Sequence, residues 1–435
     1  MRVLIAVAWP YASGPRHLGH VAGAYLPADI VARYHRLAGD EVLMVSGSDQ
    51  HGTPITVAAE RAGLPPSTFA DREHERIAAS FGRLGIAFDL YTKTHTDLHA
   101  RTVQRLFLGL HRNGYVEEGP QPAAWCPREE RSLPDRYVEG RCPRCGAPDA
   151  RGDQCDACGQ TLEAEELVDP RCRRCGAAAQ FRDLRQLFLR LDLLQPVVER
   201  YLAEREGWRP FVLNEALGWV REGLQPRAIT RDLPWGVPVP LPGWEDRRLY
   251  VWFDAVIGYL SASIEWASAT GQPEAWRRWW QDPGATHRYF LGKDNAPFHA
   301  VWWPAILAGS GEDLHLPDEL VANHYLMMKG AKMSTSRDVG FTVDEGIDRL
   351  GVDPLRHALC ALDPETADAD FTWQQADQLT RTGLLGAIAN PAYRVATLLW
   401  KRFGGKPDAE TWAGVARSDR ARVASALREI GEDIG

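Results

Sequence analysis

An α/β protein on a doubly wound parallel sheet, split by a small metal-held insertion and followed by helices, is the fold this sequence predicts. Three observations carry that expectation. First, the apolar run of residues 3–9 (VLIAVAW) reads as a buried strand. A helical segment follows it from His20 to about Ala38, and EVLMVSGSD (Glu41 to Asp49) reads as a second strand ending in a polar loop. Strand, helix and strand in that order make a parallel unit. Second, from about Tyr115 to Glu166 the chain becomes rich in Gly, Pro, Arg and Cys with little regular periodicity, as an insertion would. Third, alternation returns at RLYVWFDAVIGYL (Arg248 to Leu260) and THRYFLGKD (Thr286 to Asp294), where the sheet is expected to resume. Beyond Asp344 the chain reads as helical.

The totals narrow the functional class. With 435 residues the chain is long enough for two to four domains, and 45% hydrophobic with 25% charged residues is an ordinary globular composition. No apolar run approaches the ~18–20 residues that span a bilayer, so no membrane partner is expected. The N-terminus lacks the layout of a secretion signal, which makes a cytoplasmic location the default. A formal net charge of -8 argues against indiscriminate nucleic-acid binding while leaving room for a local basic face. The oligomeric state is not written in the sequence; a monomer is favoured.

Six of the eight cysteines form three Cys-x-x-Cys pairs. In a chain without a secretion signal that pattern points to metal before disulfide. Cys142, Cys145, Cys155 and Cys158 supply four thiolates from two knuckles, the tetrahedral set of structural zinc. The glycines after Cys145 and Cys158 allow each knuckle its tight turn. A weaker second site would combine Cys172 and Cys175 with Cys126 and Glu129; an empty knuckle is the other reading. Cys360, in the apolar stretch HALCAL, is expected in the core.

Two polar corners carry the candidate chemistry. In PYASGPRHLGH (Pro10 to His20), Gly14 and Pro15 turn the chain after the first strand and place His17 and His20 near a helix start. Helix N-termini favour anions, and imidazoles there can donate hydrogen bonds to phosphates. A helix-capping and a core-packing histidine would serve equally well on the local pattern alone. In LMMKGAKMSTSRDVG (Leu326 to Gly340), Lys329, Lys332 and Arg337 surround Ser334, Thr335 and Ser336. Such a loop suits a departing pyrophosphate, although a solvated basic loop has the same composition.

Taken together, HLGH and KMSTS resemble the two signatures of class I aminoacyl-tRNA synthetases. The wider text resembles the methionyl-tRNA synthetase family: AWPYASGPRHLGH, SGSDQHGTP, LPDRYVEGRCPRCG, ARGDQCDACG, RAITRDLPWGVPVP, RLYVWFDAVIGYLSAS, FLGKDNAPFH and DFTW, in matching order from about residue 3 to 390. The resemblance implies a Rossmann-like catalytic domain of class I type in two halves, 1–115 and 229–324. Between them would lie a zinc-knuckle insertion, 116–228. A KMSKS loop and stem-contact region, 325–385, and the incomplete start of an anticodon-type helical bundle, 386–435, would follow.

It further implies ATP-dependent activation of an amino acid, most simply methionine, with Mg2+ and release of pyrophosphate, then transfer to tRNA. The implied catalytic residues are His17, His20, Lys332, Ser334 and Ser336. ATP would meet Tyr11, Gly19, Lys293, Asp294, His324, Leu326, Lys329 and Lys332. The amino acid would meet Ala8, Trp9, Tyr11, Asp49, Trp252, Ala255, Val256, Tyr259, Asn295 and His299, with Asp49 on the α-ammonium and Arg231 at the rim. Zn2+ would occupy one site, or two.

Three departures qualify the match. Thr335 stands where many relatives carry a second lysine, with Lys329 or Arg337 as substitutes. Trp9 is larger than the leucine or isoleucine often found before Pro-Tyr. Tyr393 stands where an anticodon-contacting asparagine is expected, and little of the bundle is present. A second reading therefore keeps the activation step but passes the amino acid to a non-tRNA acceptor, such as an N-hydroxylated amine on the way to an N–N bond.

Overall fold

The computed structural model describes residues 1–159, 161–334, 339–406 and 417–434. Strand β1 (Arg2–Val7) lies at the middle of a five-stranded sheet and is buried from Val3 to Val7. Its side chains divide by parity: Leu4 and Ala6 enter one core, Val3, Ile5 and Val7 the other. Burial on both faces is why the run is continuously apolar rather than alternating.

After the Gly14–Pro15 corner, Leu18–His20, a π-helical turn Val21–Tyr25 and Leu26–Ala38 run on as one helix, α1, closed by Gly39 in the left-handed region. Strand β2 (Glu41–Ser48) returns parallel to β1 with Arg2 opposite Glu41. Helices α2 (Thr53–Ala62) and α3 (Pro66–Arg83) lead to β3 (Leu90–Lys93), and α4 (Asp97–Arg112) follows. On the other side of β1 lie β6 (Ala285–Gly292) and β7 (Glu319–Asn323), giving the all-parallel order β7-β6-β1-β2-β3. The order reverses between β1 and β6. Crevices at the carboxyl ends of strands open at such a reversal.

The insertion departs from the expectation of an irregular segment. Strand β4 (Val116–Cys126) pairs antiparallel with β5 (Gln180–Leu189) along its length, from Val116 opposite Leu189 to Trp125 opposite Gln180. Pro120 and Pro122 hid this strand, because proline normally argues against sheet. The ribbon carries a three-stranded sheet of Val138–Arg141, Ala150–Arg151 and Val168–Cys172. The core of this tip is small, with Leu133, Tyr137, Val138, Leu162 and Leu167 packed around four of the cysteines. Helices α5 (Leu191–Ala203) and α6 (Pro210–Glu222) return the chain to the sheet.

The expected strand at Arg248 to Leu260 is a correction. Only Arg248–Leu249 pairs as strand, and Val251–Ala269 forms helix α7. It is buried on nearly every side, so its apolar residues show no helical stripe, and periodicity alone cannot separate it from a strand. Helix α8 (Trp303–Gly309) precedes β7. Strands β8 (Leu326–Met328) and β9 (Ala331–Lys332) then form a small hairpin beside Ala369–Asp370.

The end of the chain is helical as expected: α9 (Val343–Leu350), α10 (Val352–Ala361), α11 (Trp373–Leu379), a π-helical segment Thr380–Ala389, α12 (Asn390–Phe403) and α13 (Arg417–Ile434). Cys360 is exposed on α10 rather than in the core. Among the described residues no helix is long and apolar enough to cross a membrane.

Candidate active site

A cleft of about 330 Å3 opens at the β1–β6 reversal. Its first wall is the Pro10–His20 corner. His17 precedes the helix in extended conformation and its backbone N–H donates to His20 Nδ1 at 3.3 Å, while the two ring centres lie 3.7 Å apart with the planes tilted by 32°. Gly19 leaves little room there: a Cβ would come 3.0 Å from the His17 ring and 3.3 Å from the Leu326 carbonyl. Burial, then Arg16 and Lys332, pushes His17 down to about 3. Burial, then His17, holds His20 well below the ordinary histidine range. At neutral pH both rings are uncharged, each with one N–H to donate.

The opposite wall comes from β6, β7 and the hairpin: Gly292, Asp294, Asn295, His324, Tyr325, Leu326, Lys332, Met333 and Ser334. The Lys332 ammonium reaches Asp294 at 3.3 Å and lies 3.8 Å from the centre of the Tyr325 ring. Lys293 lies over the same ring at 4.3 Å but donates to Asp368 at 2.7 Å, away from the cleft lining. Lys329, in the left-handed region on the β8–β9 turn, is also outside that lining. Ser334 and Val339 exchange backbone hydrogen bonds at 2.8 and 3.0 Å, closing the base of the loop. Ser336, with Thr335 and Arg337, lies outside the described residues.

A third wall was not anticipated. Arg136, Gln154, Cys155, Asp156 and Gly159 of the insertion line the same cleft, and Arg136 is tied to Asp153 at 3.2 Å. The only sequence signal was that the cysteine pairs interrupt a catalytic-type sheet.

Beside the cleft is a smaller cavity of about 60 Å3, lined by Ala8, Trp9, Asp49, Trp252, Ala255, Val256, Tyr259, Asn295, Phe298 and His299. The structure thus brings together nine of the ten expected amino-acid contacts and adds Phe298, whose ring meets Trp252 edge-on at 4.1 Å. Tyr11, the tenth, lines the larger cleft and accepts the Trp252 indole N–H at 2.6 Å.

At one end of the small cavity His299 Nδ1 donates to the Asn295 carbonyl at 2.9 Å. This leaves Nε2 to accept from the Tyr259 hydroxyl at 2.8 Å. Burial pushes His299 down to about 4, so this tautomer is neutral. At the other end Asp49 is buried, and burial, then the nearby Asp254, raises its carboxyl well above the usual range. A cation placed there would restore its charge. Arg231 lies away from both cavities, 4.0 Å over the Tyr250 ring in a separate cleft.

The Sγ atoms of Cys142, Cys145, Cys155 and Cys158 all lie within 4.8 Å of one another, with Cys145 and Cys155 at 3.6 Å. Four thiolates 2.3 Å from one zinc would be about 3.8 Å apart, so the set fits tetrahedral zinc. Cys126, Cys172 and Cys175 converge equally closely. Glu129 does not complete them: its carboxylate turns to Arg174 at 3.4 Å and only its backbone N–H reaches Cys126. The second group therefore offers three sulfurs. Tyr393 is largely exposed on α12, far along the chain from either cavity.

Residues 3–396 match the family described as tRNA synthetases class I (M). The chain is 48% identical over 429 residues to a methionine–tRNA ligase of Thermomicrobium roseum, covering 98% of this chain and 74% of that protein. It is 50% identical over 398 residues to a methionine–tRNA ligase of Dehalococcoides mccartyi, covering 92% and 72%. A crystal structure of Mycobacterium tuberculosis methionyl-tRNA synthetase bound by methionyl-adenylate shares the fold, with a TM-score of 0.75 and 24% identity over 98% of this chain and 77% of that one.

Proposed function

Because this chain belongs to the class I (M) tRNA synthetases, we propose that it is a methionine–tRNA ligase: it joins methionine to ATP as the adenylate, releases pyrophosphate and passes the methionyl group to tRNA. One observation supports this reading above the others. The small apolar cavity and the large polar cleft share Ala8, Trp9 and Asn295, so an amino acid seated in the first presents its carboxylate to the second. Holding two reactants at such a junction makes their reaction effectively unimolecular.

In this reading Asp49 receives the α-ammonium, and Trp252, Val256, Tyr259, Phe298 and His299 surround the thioether. A carboxylate oxygen attacks the α-phosphorus and pyrophosphate leaves with its Mg2+. The N–H groups of the neutral His17 and His20 stabilise charge on the phosphates without the cost of removing a charged imidazolium from water. Lys332 exchanges Asp294 for the departing pyrophosphate, which frees Asp294 for the ribose hydroxyls. Ser334, Gly19, His324 and Leu326 complete the nucleotide wall, while Lys293 and Lys329 act from outside it.

Zinc on Cys142, Cys145, Cys155 and Cys158 would hold the knuckle that supplies the third wall. Cys155→Ser should release that metal and loosen the wall; elemental analysis giving unchanged zinc would refute the ligand set. A non-tRNA acceptor is not favoured, since relatives matched over nearly the whole chain are methionine–tRNA ligases. The deciding test is single-turnover transfer from the preformed adenylate. Charging of initiator and elongator methionine tRNAs is expected; adenylate formation without charging of either would return the acceptor to a small molecule.

A further inference from the structure

Trp9 is half-buried where it enters the amino-acid pocket, and its size raises the question of what makes room for it. Two glycines do. A Cβ on Gly47 of β2 would lie 2.4 Å from Cζ3 and 2.6 Å from Cη2 of the Trp9 indole. A Cβ on Gly258, mid-way along α7, would lie 2.7 Å from Cε2 and 2.8 Å from Cζ2. The ring is therefore held between strand and helix, against backbone on both sides. Neither glycine has a positive φ, so neither is required by backbone conformation. At Gly258 all three nearest atoms belong to Trp9; at Gly47 a Cβ would also strike the Thr92 carbonyl at 2.5 Å.

The same ring bounds the pocket, 6.4 Å edge-on from Tyr259, and its indole Nε1 is buried without a hydrogen-bond partner among the described residues. A wall clamped between two backbones cannot retreat. Any atom added behind it displaces it towards the substrate side.

We infer that Gly258, which does not line the pocket, is a specificity-determining positioning residue: with Gly47 it forms a shelf that sets how far Trp9 projects, and hence the length of amino-acid side chain the site accepts. The inference rests on the proposed activation of methionine. It also accounts for a tryptophan at a position where a smaller aliphatic residue would otherwise serve. The ligand class it selects is a slender, unbranched apolar side chain, with longer homologues excluded by the indole rather than by the Tyr259–His299 end.

The experiment is amino-acid-dependent ATP–pyrophosphate exchange by the full chain carrying Gly258→Ala, Trp9→Leu or both. Alanine is the better helix former, so α7 should form at least as well in the variant, and its thermal transition is measured alongside. Gly258→Ala should raise the methionine KM at least ~10-fold, a loss of about 1.4 kcal/mol in binding, and leave the ATP KM unchanged. Adding Trp9→Leu should restore the methionine KM to within a few-fold of wild type. Trp9→Leu alone should admit longer unbranched analogues that the wild type rejects. An unchanged methionine KM in Gly258→Ala, or a double variant no better than Gly258→Ala, would overturn the shelf. Absence of methionine exchange in the wild type would instead overturn the proposed function.

Discussion

The two cavities of the site share three residues yet are built on opposite electrostatic plans. The amino-acid pocket is walled by aromatics, and several of its polar groups are already paired: Tyr259 with His299, His299 with the Asn295 carbonyl, Trp252 with Tyr11. The nucleotide cleft holds two of its cations on protein carboxylates, Lys332 on Asp294 and Arg136 on Asp153, while Arg16 donates to the Gly14 carbonyl. Apart from the Asp49 carboxyl, the first is formed before its ligand arrives, as suits a site that reads shape. The second has to exchange partners when a polyanion enters. Selectivity and rate are thus assigned to different walls, and substitutions should separate them.

The largest effect is expected in the nucleotide cleft. His20→Ala should lower the activation rate ~10²–10³-fold, by analogy with removing a donor to a developing oxyanion, with the methionine KM little changed. A rate within twofold of wild type would remove His20 from the chemistry. Lys332→Met should come next, at ~10–100-fold in the same rate. Its ATP and pyrophosphate constants should move and its methionine constant should not; a methionine KM shifted as far as the ATP KM would break the division between the two cavities.

The smallest effect is on stability. His17 and His287 are pushed down to about 3 and His299 to about 4, each chiefly by burial. A histidine whose folded pKa lies below its unfolded value takes up its proton on unfolding. Stability is therefore full above about pH 6.5 and falls as pH drops through that value. Between pH 7 and 6 the loss is under about 1 kcal/mol for each such group. Asp49, raised by burial and Asp254, acts in the opposite sense above the ordinary carboxylate range. Chemical denaturation at pH 7, 6 and 5 should show the histidine trend; stability rising on acidification would contradict it.

How much of this was legible in the sequence depended on what each residue had to satisfy. Strand β1 could be read because burial on both faces demands an unbroken apolar run, and the four-cysteine knuckle because tetrahedral ligation fixes spacing. Helix α7 was misread for the same reason that β1 was read: a helix buried all round also lacks a polar face. Strand β4 was hidden by prolines that an outlying ribbon tolerates. Nine of the ten residues that the family resemblance implies for the amino acid share the small cavity, but Phe298 was absent from them because it sits among FHAVWW, where any aromatic reads as core. Arg136 could not be found from spacing, since it reaches the cleft only through the fold of the insertion. The glycine shelf behind Trp9 was invisible for a simpler reason: a missing Cβ has meaning only once its neighbour is placed.

The most direct test of the account is amino-acid-dependent ATP–pyrophosphate exchange measured for all twenty amino acids. Methionine should give the highest kcat/KM, with longer and branched side chains far behind. Exchange led by another amino acid, or none with methionine, would contradict it.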